Sequence, residues 1–261
     1  MNTANHPVGA LLRQWRQRRR LSQLDLACEA DISTRHLSFV ETGRALPSRE
    51  MLLHLAEQLE IPLRERNRLL TAAGYAPLYS QHGLDDPALA AARAAIDQLL
   101  KAHEPYPALT IDRQWNLLAA NRSVAPFLAG LPAELLGPPL NVLRISLHPE
   151  GLAPRIVNLA QWRAYLLMRL QHDIDISGDP QLMALQQELL SYPAPLEPAE
   201  ALPESVLMPL QFQTDQGVLS MISTTTVFGT PNDVTLAELA LETFFPADEA
   251  SAAYLRQLTQ S

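Results

Sequence analysis

Residues 21–41 read LSQLDLACEADISTRHLSFVE, and no other stretch constrains this chain so tightly. Ser22 is placed to accept from the free amides of a helix beginning at Gln23, and Leu24, Leu26 and Ala27 then supply an apolar face. Small Ala27 permits a second helix to approach closely. Ala30, Asp31 and Ile32 interrupt the pattern, Ser33 is positioned as a second N-cap, and Leu37 and Val40 recur at helical spacing. The spacing predicts two short amphipathic helices joined by a tight turn, with Ile32, Leu37 and Val40 buried. On the second helix Thr34, Arg35, His36, Ser38 and Phe39 are left outward. These are donors, acceptors and one apolar ring, a set suited to base edges and a thymine methyl in a DNA groove.

The segment resembles the Cro/CI-type (XRE) helix-turn-helix family. Ser22-Gln23, Leu26-Ala27, Ser33, Glu41-Thr42-Gly43-Arg44 and Pro47-Ser48 match its pattern of Ser-Gln, Leu-Ala, Ser and Glu-x-Gly-Arg-x-x-Pro-Ser. The resemblance covers five predicted helices over about residues 8–73. It implies that the helix from Ser33 to Glu41 enters the major groove, and that Gln23 braces a phosphate and supports that helix. Gly43 is expected to take a positive φ that ends the recognition helix, and Ser48 to cap the next helix, REMLLHLAEQLE. The turn geometry aims Arg35, Arg44 and Arg49 toward the duplex, completing a contact set of Gln23, Ser33, Thr34, Arg35, His36, Ser38, Phe39, Arg44 and Arg49. Arg13, Arg16, Arg18, Arg19 and Arg20 are placed on the first helix, with Leu11, Leu12 and Trp15 facing inward. Two readings of these arginines stay open, phosphate contact or a solvated charged face.

Charge divides along the chain. Residues 1–75 hold 11 basic against 8 acidic side chains, whereas the rest holds 9 against 20, within a net charge of −8. The overall field would repel DNA, so binding must come from a local patch and depend on salt. At 261 residues the chain exceeds one headpiece several-fold, and 47% apolar with 18% charged residues describes a folded chain with a second core. The lone Cys28 excludes an intramolecular disulfide framework and reads as a small core residue. With neither a signal-like N-terminus nor a run of about twenty apolar residues, the expected compartment is the cytoplasm, with no membrane span.

The division expected is 1–75 for the headpiece, 76–105 for a linker and connecting helix, and 106–261 for a second domain. Asp86-Pro87 offers an N-cap and a first-turn proline for a helix running to about His103, with Leu89, Ile96, Leu99 and Leu100 on its apolar side. That helix either couples the domains or pairs in a dimer, or else covers the second core. Ala108 to Asp112 and Trp115 to Ala119 read as strands around a turn, and Asn121 as the cap of a helix to about Ala129. Amphipathic helices are predicted from about Pro154 to His172 and from Pro180 to Tyr192. Val206 to Thr214 and Val218 to Phe228 flank Asp215-Gln216-Gly217 as a hairpin, and Val234 to Phe245 is read as its partner strand. The fold class expected is a mainly α five-helix headpiece plus an α+β domain with an antiparallel sheet, whose strand, turn, strand, helix opening resembles a PAS-like sensor domain.

Trp115-Asn116-Leu117, Asn121, His148-Pro149-Glu150-Gly151, Arg155 to Trp162, Val227-Phe228-Gly229-Thr230-Pro231 and Phe245-Pro246-Ala247-Asp248-Glu249 resemble the MmyB-like class of transcription regulators. That resemblance implies a PAS-like ligand-binding domain and a fatty-acid-like occupant. Candidate wall residues are Ile111, Trp115, Phe127, Trp162, Leu166, Phe212, Met221 and Phe228, each of which also suits ordinary core. His148 and Arg155 could receive a carboxylate at a helix start, with a structural hydrogen bond to a loop the other reading of His148. No hydrolase elbow, P-loop, metalloprotease helix or dinucleotide fingerprint occurs, so no enzyme, metal or cofactor is expected. The expected partners are operator DNA, a small apolar ligand and a second copy of the chain. The competing expectation is a DNA-binding regulator whose second domain recruits a protein instead of a metabolite.

Overall fold

The computed structural model describes residues 7–193 and 207–259, and contacts along the chain divide it into two units, with the main break after Gln81. The first unit carries α1 (Pro7–Arg18), α2 (Gln23–Glu29), α3 (Thr34–Glu41), α4 (Arg49–Gln58) and α5 (Leu63–Ala72). Three serines start three of these helices. Ser22 Oγ accepts from Asp25 N at 3.1 Å while the Asp25 carboxylate accepts from Ser22 N at 2.8 Å, a reciprocal capping box. Ser33 Oγ accepts from His36 N at 3.1 Å, and Ser48 Oγ from Met51 N at 3.2 Å. At the far end of α3, Gly43 N donates to Val40 O and Arg44 N to Phe39 O, a Schellman closure that requires the φ of 72° found at Gly43.

Leu12, Leu26, Leu37, Leu52, Leu55 and Leu70 meet in the center of this unit. Gly9 lets α1 close on the end of α3, because a Cβ there would lie 2.3 Å from Val40 O. Several expectations need correction. Leu24 is 62% exposed and Cys28 is exposed. Each lies two residues from buried Leu26, and so about 200° around the helix from it, away from the core. Ile32 is only half-buried at the turn, and Arg20 sits past the end of α1 with a φ of 58°.

The second unit opens with a short 3-10 turn at Pro87–Leu89, capped by Asp86, that leads into α6 (Ala90–Ala102). Ile96 and Leu100 are buried there, but Leu99 is 51% exposed, one step around the helix from its neighbour's buried face. After β1 (Ala108–Ile111) and β2 (Leu117–Ala120) come the short helices α7 (Ala125–Leu128), α8 (Ala133–Leu136) and α9 (Val142–Leu147). The long α10 (Leu159–Ser177) and α11 (Pro180–Ser191) follow. The chain closes with β3 (Pro209–Thr214), β4 (Gly217–Val227), α12 (Val234–Ala237), β5 (Ala240–Pro246) and α13 (Glu249–Leu258).

All five strands pair antiparallel in the order β2-β1-β5-β4-β3. The last strand in sequence therefore fills the middle of the sheet. The hairpin turns at Asp215-Gln216, where Thr214 pairs with Gly217. Its first strand was expected from Val206, which lies outside the described residues.

Three expectations change in this unit. Residues 234–245 are not one strand, because Val234–Ala237 makes one helical turn before β5 begins at Ala240. Asn121 holds the N-cap position of a 3-10 turn at Arg122–Val124 that runs into α7, but its side chain makes no capping bond; its amide instead accepts from Ala108 N and donates to Leu100 O and Tyr106 O, knitting the start of β1 to α6. The helix expected from Pro154 begins only at Leu159, after a 3-10 turn at Ala153–Arg155, and Ile156 bridges to Phe212 of β3.

Candidate nucleic-acid interface and ligand cavity

Helix α3 is held from behind by a buried ion pair. Arg16 Nε and Nη2 donate to the two carboxylate oxygens of Glu41 at 2.6 and 2.8 Å, and Nη1 donates to Leu21 O at 2.8 Å. The hydrogen bonds it donates to Glu41 raise the Arg16 pKa, and burial opposes them without winning. Arg16 is thus neither a phosphate contact nor a solvated face. It is consumed in joining α1 to α3. Gln23 Nε2 donates to Glu41 Oε2 at 2.8 Å, so one carboxylate ties α1, α2 and α3 together. Arg19 turns inward as well, donating to Leu59 O and Glu60 O, while the Arg18 guanidinium lies 4.7 Å from the Trp15 ring.

Held in this way, α3 presents a mixed face. Arg35, Arg44 and Arg49 are exposed, as is Ser33, with Thr34, Ser38 and Phe39 half-buried. The Phe39 ring is flanked by the guanidinium carbons of Arg35 at 5.3 Å and Arg44 at 5.8 Å. Two cations and an apolar ring thereby share one patch. His36 departs from this face: half-buried, it sets Nε2 3.2 Å from Met51 Sδ on α4.

In the second unit the inward face of the sheet and the helices α7, α9 and α10 enclose a cavity of about 860 Å3, solvent at its mouth included. Alternation along the strands decides which residues reach it. Leu210 and Phe212 of β3, Met221 and Ser223 of β4, and Glu242 and Phe244 of β5 lie on that face. Of the ten residues the sequence nominated, Trp115, Phe127, Trp162, Leu166, Phe212 and Met221 line the space, and four do not. Ile111 is buried in the adjoining core beyond the cavity's reach, and Phe228 packs in a separate cluster with Ile96 and Leu239. His148 Nδ1 is 3.1 Å from Glu150 N and its ring stacks edge-on to Tyr192, the structural role held open for it. Arg155 lies against Phe212, its guanidinium carbon 5.7 Å from that ring.

The polar part of the wall escaped the sequence reading. Arg169 on α10 donates to Glu242 at 2.7 and 3.3 Å and to Thr225 Oγ1 at 3.0 Å, and Thr225 donates in turn to Glu242 Oε1 at 2.8 Å. The guanidinium also stacks 4.7 Å from the Trp115 ring. Burial depresses its pKa, but the Glu242 hydrogen bonds and charge outweigh that, and the result is a raised value. Trp115 is forced into place by its turn. The Asp112 carboxylate accepts from Gln114 N and Asn116 N, and Trp115 is left with a φ of 65°, a strained backbone for a bulky side chain. Its Nε1 donates to Asp173, whose carboxyl is pushed up by burial. The signal was present in α10, where Arg169 and Asp173 interrupt the buried face marked by Trp162, Leu166 and Leu170.

Below the cavity, Arg144 of α9 grips Glu188 of α11 through two bonds of 2.7 and 2.8 Å, and Tyr192 Oη donates to the same carboxylate at 2.7 Å. Arg144 holds the Glu188 pKa below the usual carboxylate value. Among the described residues, no cluster of three or more His, Cys, Asp or Glu side chains could hold a metal. Nor is any described helix long and apolar enough to cross a membrane.

A helix-turn-helix headpiece with an exposed recognition face, followed by a sheet domain enclosing an apolar cavity, defines a ligand-binding transcription regulator. Comparison with known families agrees for both parts. Residues 92–258 match the MmyB-like transcription regulator ligand binding domain, and residues 7–69 match a helix-turn-helix domain. The chain belongs to the MmyB-like transcription regulators. No curated protein matches it.

Proposed function

We propose that this regulator reads operator DNA with the face of α3 around Arg35 and Phe39, acts as a homodimer, and answers to an elongated apolar molecule held in the sheet-lined cavity. The proposal makes the chain a binding protein without chemistry of its own. The observation that carries it is the pairing of a capped α3, its Arg35 exposed beside Phe39, with a cavity walled by apolar side chains. The reading gives the occupant a hydrocarbon body like that of a fatty acid. A single eight-residue helix spans only a few base pairs, so two copies reading half-sites about 34 Å apart supply the remaining specificity. Bound ligand alters DNA affinity only through different affinity for the DNA-competent and incompetent arrangements.

Native mass spectrometry of the purified full-length protein tests the ligand half. The expected result is a retained small molecule near one per chain, whose extraction changes affinity for a duplex at matched salt. A chain that retains nothing, and whose duplex affinity ignores every apolar additive, would favour recruitment of a protein by the second domain.

A further inference from the structure

Of the three apolar side chains of α3, Leu37 and Val40 are buried in the core, and Phe39 alone reaches the surface. Its ring is not isolated there. The guanidinium carbon of Arg35, one turn earlier on the same helix, lies 5.3 Å from the ring centroid, and that of Arg44, just past the helix end, lies 5.8 Å from it. Arg44 N also donates to Phe39 O at 2.8 Å, so the backbone holds the second cation beside the ring. Two polar neighbours are drawn away from this patch. His36 sets Nε2 against Met51 Sδ, and Gln23 gives Nε2 to Glu41.

In the major groove guanine offers two acceptors, N7 and O6, to a guanidinium fork, and the C5-methyl of thymine is the apolar group on a base edge. Residues four apart on a helix are separated by about 6 Å along its axis and about 40° around it. The working ends of Arg35 and Phe39 are closer still. At 5.3 Å they are less than two base-pair rises of about 3.4 Å apart, so both fall on one step of two neighbouring base pairs. Contact with the ring restrains the guanidinium while its N–H groups remain available to donate.

Resting on the reading of α3 as the helix that enters the groove, we infer that Arg35 and Phe39 act as one reader of a guanine with a pyrimidine C5-methyl on the neighbouring base pair. Arg35 takes the guanine. Phe39 takes the methyl and positions Arg35. Thymine supplies that methyl, and 5-methylcytosine carries the same group on a C·G pair. The protein therefore tells methylated from unmethylated cytosine at this position.

The test starts from the duplex that the full-length protein enriches from a random pool, remade with uracil in place of thymine at single positions and then with cytosine or 5-methylcytosine there. The expected half-site holds a T·A pair beside a G·C pair, and uracil at that thymine weakens binding about three- to fivefold per half-site at matched salt, as one buried carbon does. 5-Methylcytosine at the same position binds more tightly than cytosine by a similar factor. In Phe39→Ala thymine and uracil become equivalent, and the preference for the neighbouring guanine falls about twofold or more as Arg35 loses its support. Equal affinity for thymine and uracil at every position of the half-site would overturn the inference and leave the reading of α3 standing. A uracil penalty that persists in full in Phe39→Ala, or an Arg35→Ala variant that keeps its preference at the adjoining G·C pair, would overturn it as well. Enrichment of no motif would overturn both. The comparison of thymine with uracil on the unaltered protein decides the matter even if the Phe39 variant does not fold.

Discussion

Each unit buries one arginine–glutamate pair in bidentate contact, and the two sit in opposite settings. Arg16 and Glu41, with side chains 9% and 1% exposed, are enclosed by helices, and Gln23 fills a further acceptor position on the carboxylate. Arg169 and Glu242, at 21% and 5%, border a cavity and share their bonds with a threonine hydroxyl. The same chemistry is a bolt in the first case and a polar rim in the second. What separates them is their surroundings: a pair packed between helices holds those elements together, whereas a pair that lines a cavity can answer to whatever enters.

That contrast is most exposed to Arg16→Ala, which strands the Glu41 carboxylate in the headpiece. The expected loss is about 3 to 5 kcal/mol, read as diminished hydrogen-exchange protection across α1 to α5. Arg169→Ala should cost less, because water entering the cavity can solvate Glu242. Equal costs for the two truncations would erase the distinction. Gly9→Ala ranks next, at about 1 to 3 kcal/mol, since the added methyl meets the Val40 carbonyl and α1 must move. A stabilising Gly9→Ala, the usual outcome inside a helix, would mean that α1 and α3 do not pack this closely.

Smaller effects sharpen the picture. Ser33→Ala removes the acceptor for His36 N and should cost about 1 kcal/mol in thermal or denaturant unfolding. Leu24→Ala, exposed on the neighbouring helix, should change stability by no more than about 0.5 kcal/mol. Glu188→Gln should have an effect under about 1 kcal/mol because the ion pair is partly solvated. Arg144 lowers the Glu188 pKa on folding, so the pair stabilises above the ordinary value of 4.5, and that contribution is lost as pH falls through the folded value. The gap between Glu188→Gln and the unaltered protein should therefore close on acidification below about pH 4.5. A gap that widened there would contradict the assigned sign.

These ranks also trace what a sequence can disclose. Caps and turns are local chemistry, so Ser22, Ser33, Ser48 and Gly43 could be read directly, each needing only its neighbours within a few residues. Burial on a seven-residue helix is harder. With two turns, the apolar stripe offers too few repeats to decide that Leu26 and Ala27 face inward while Leu24 and Cys28 do not. The strand at Ala240–Pro246 was legible because the hairpin needed a partner, but α12 before it was merged into the same element. Six nominated cavity residues follow from apolar spacing on helices and strands. The polar rim does not, since Arg169 and Glu242 are 73 residues apart and meet only once the sheet has folded under α10.

The most direct test of the account is selection of a random duplex pool by the full-length protein, run in parallel with Arg35→Ala at the same salt concentration. The account predicts that the unaltered protein enriches a single motif, and that Arg35→Ala weakens binding to it by about 1 to 3 kcal/mol while relaxing preference at one base pair per half-site. Enrichment of the same motif by both proteins with equal affinity, or of no motif by either, would contradict it.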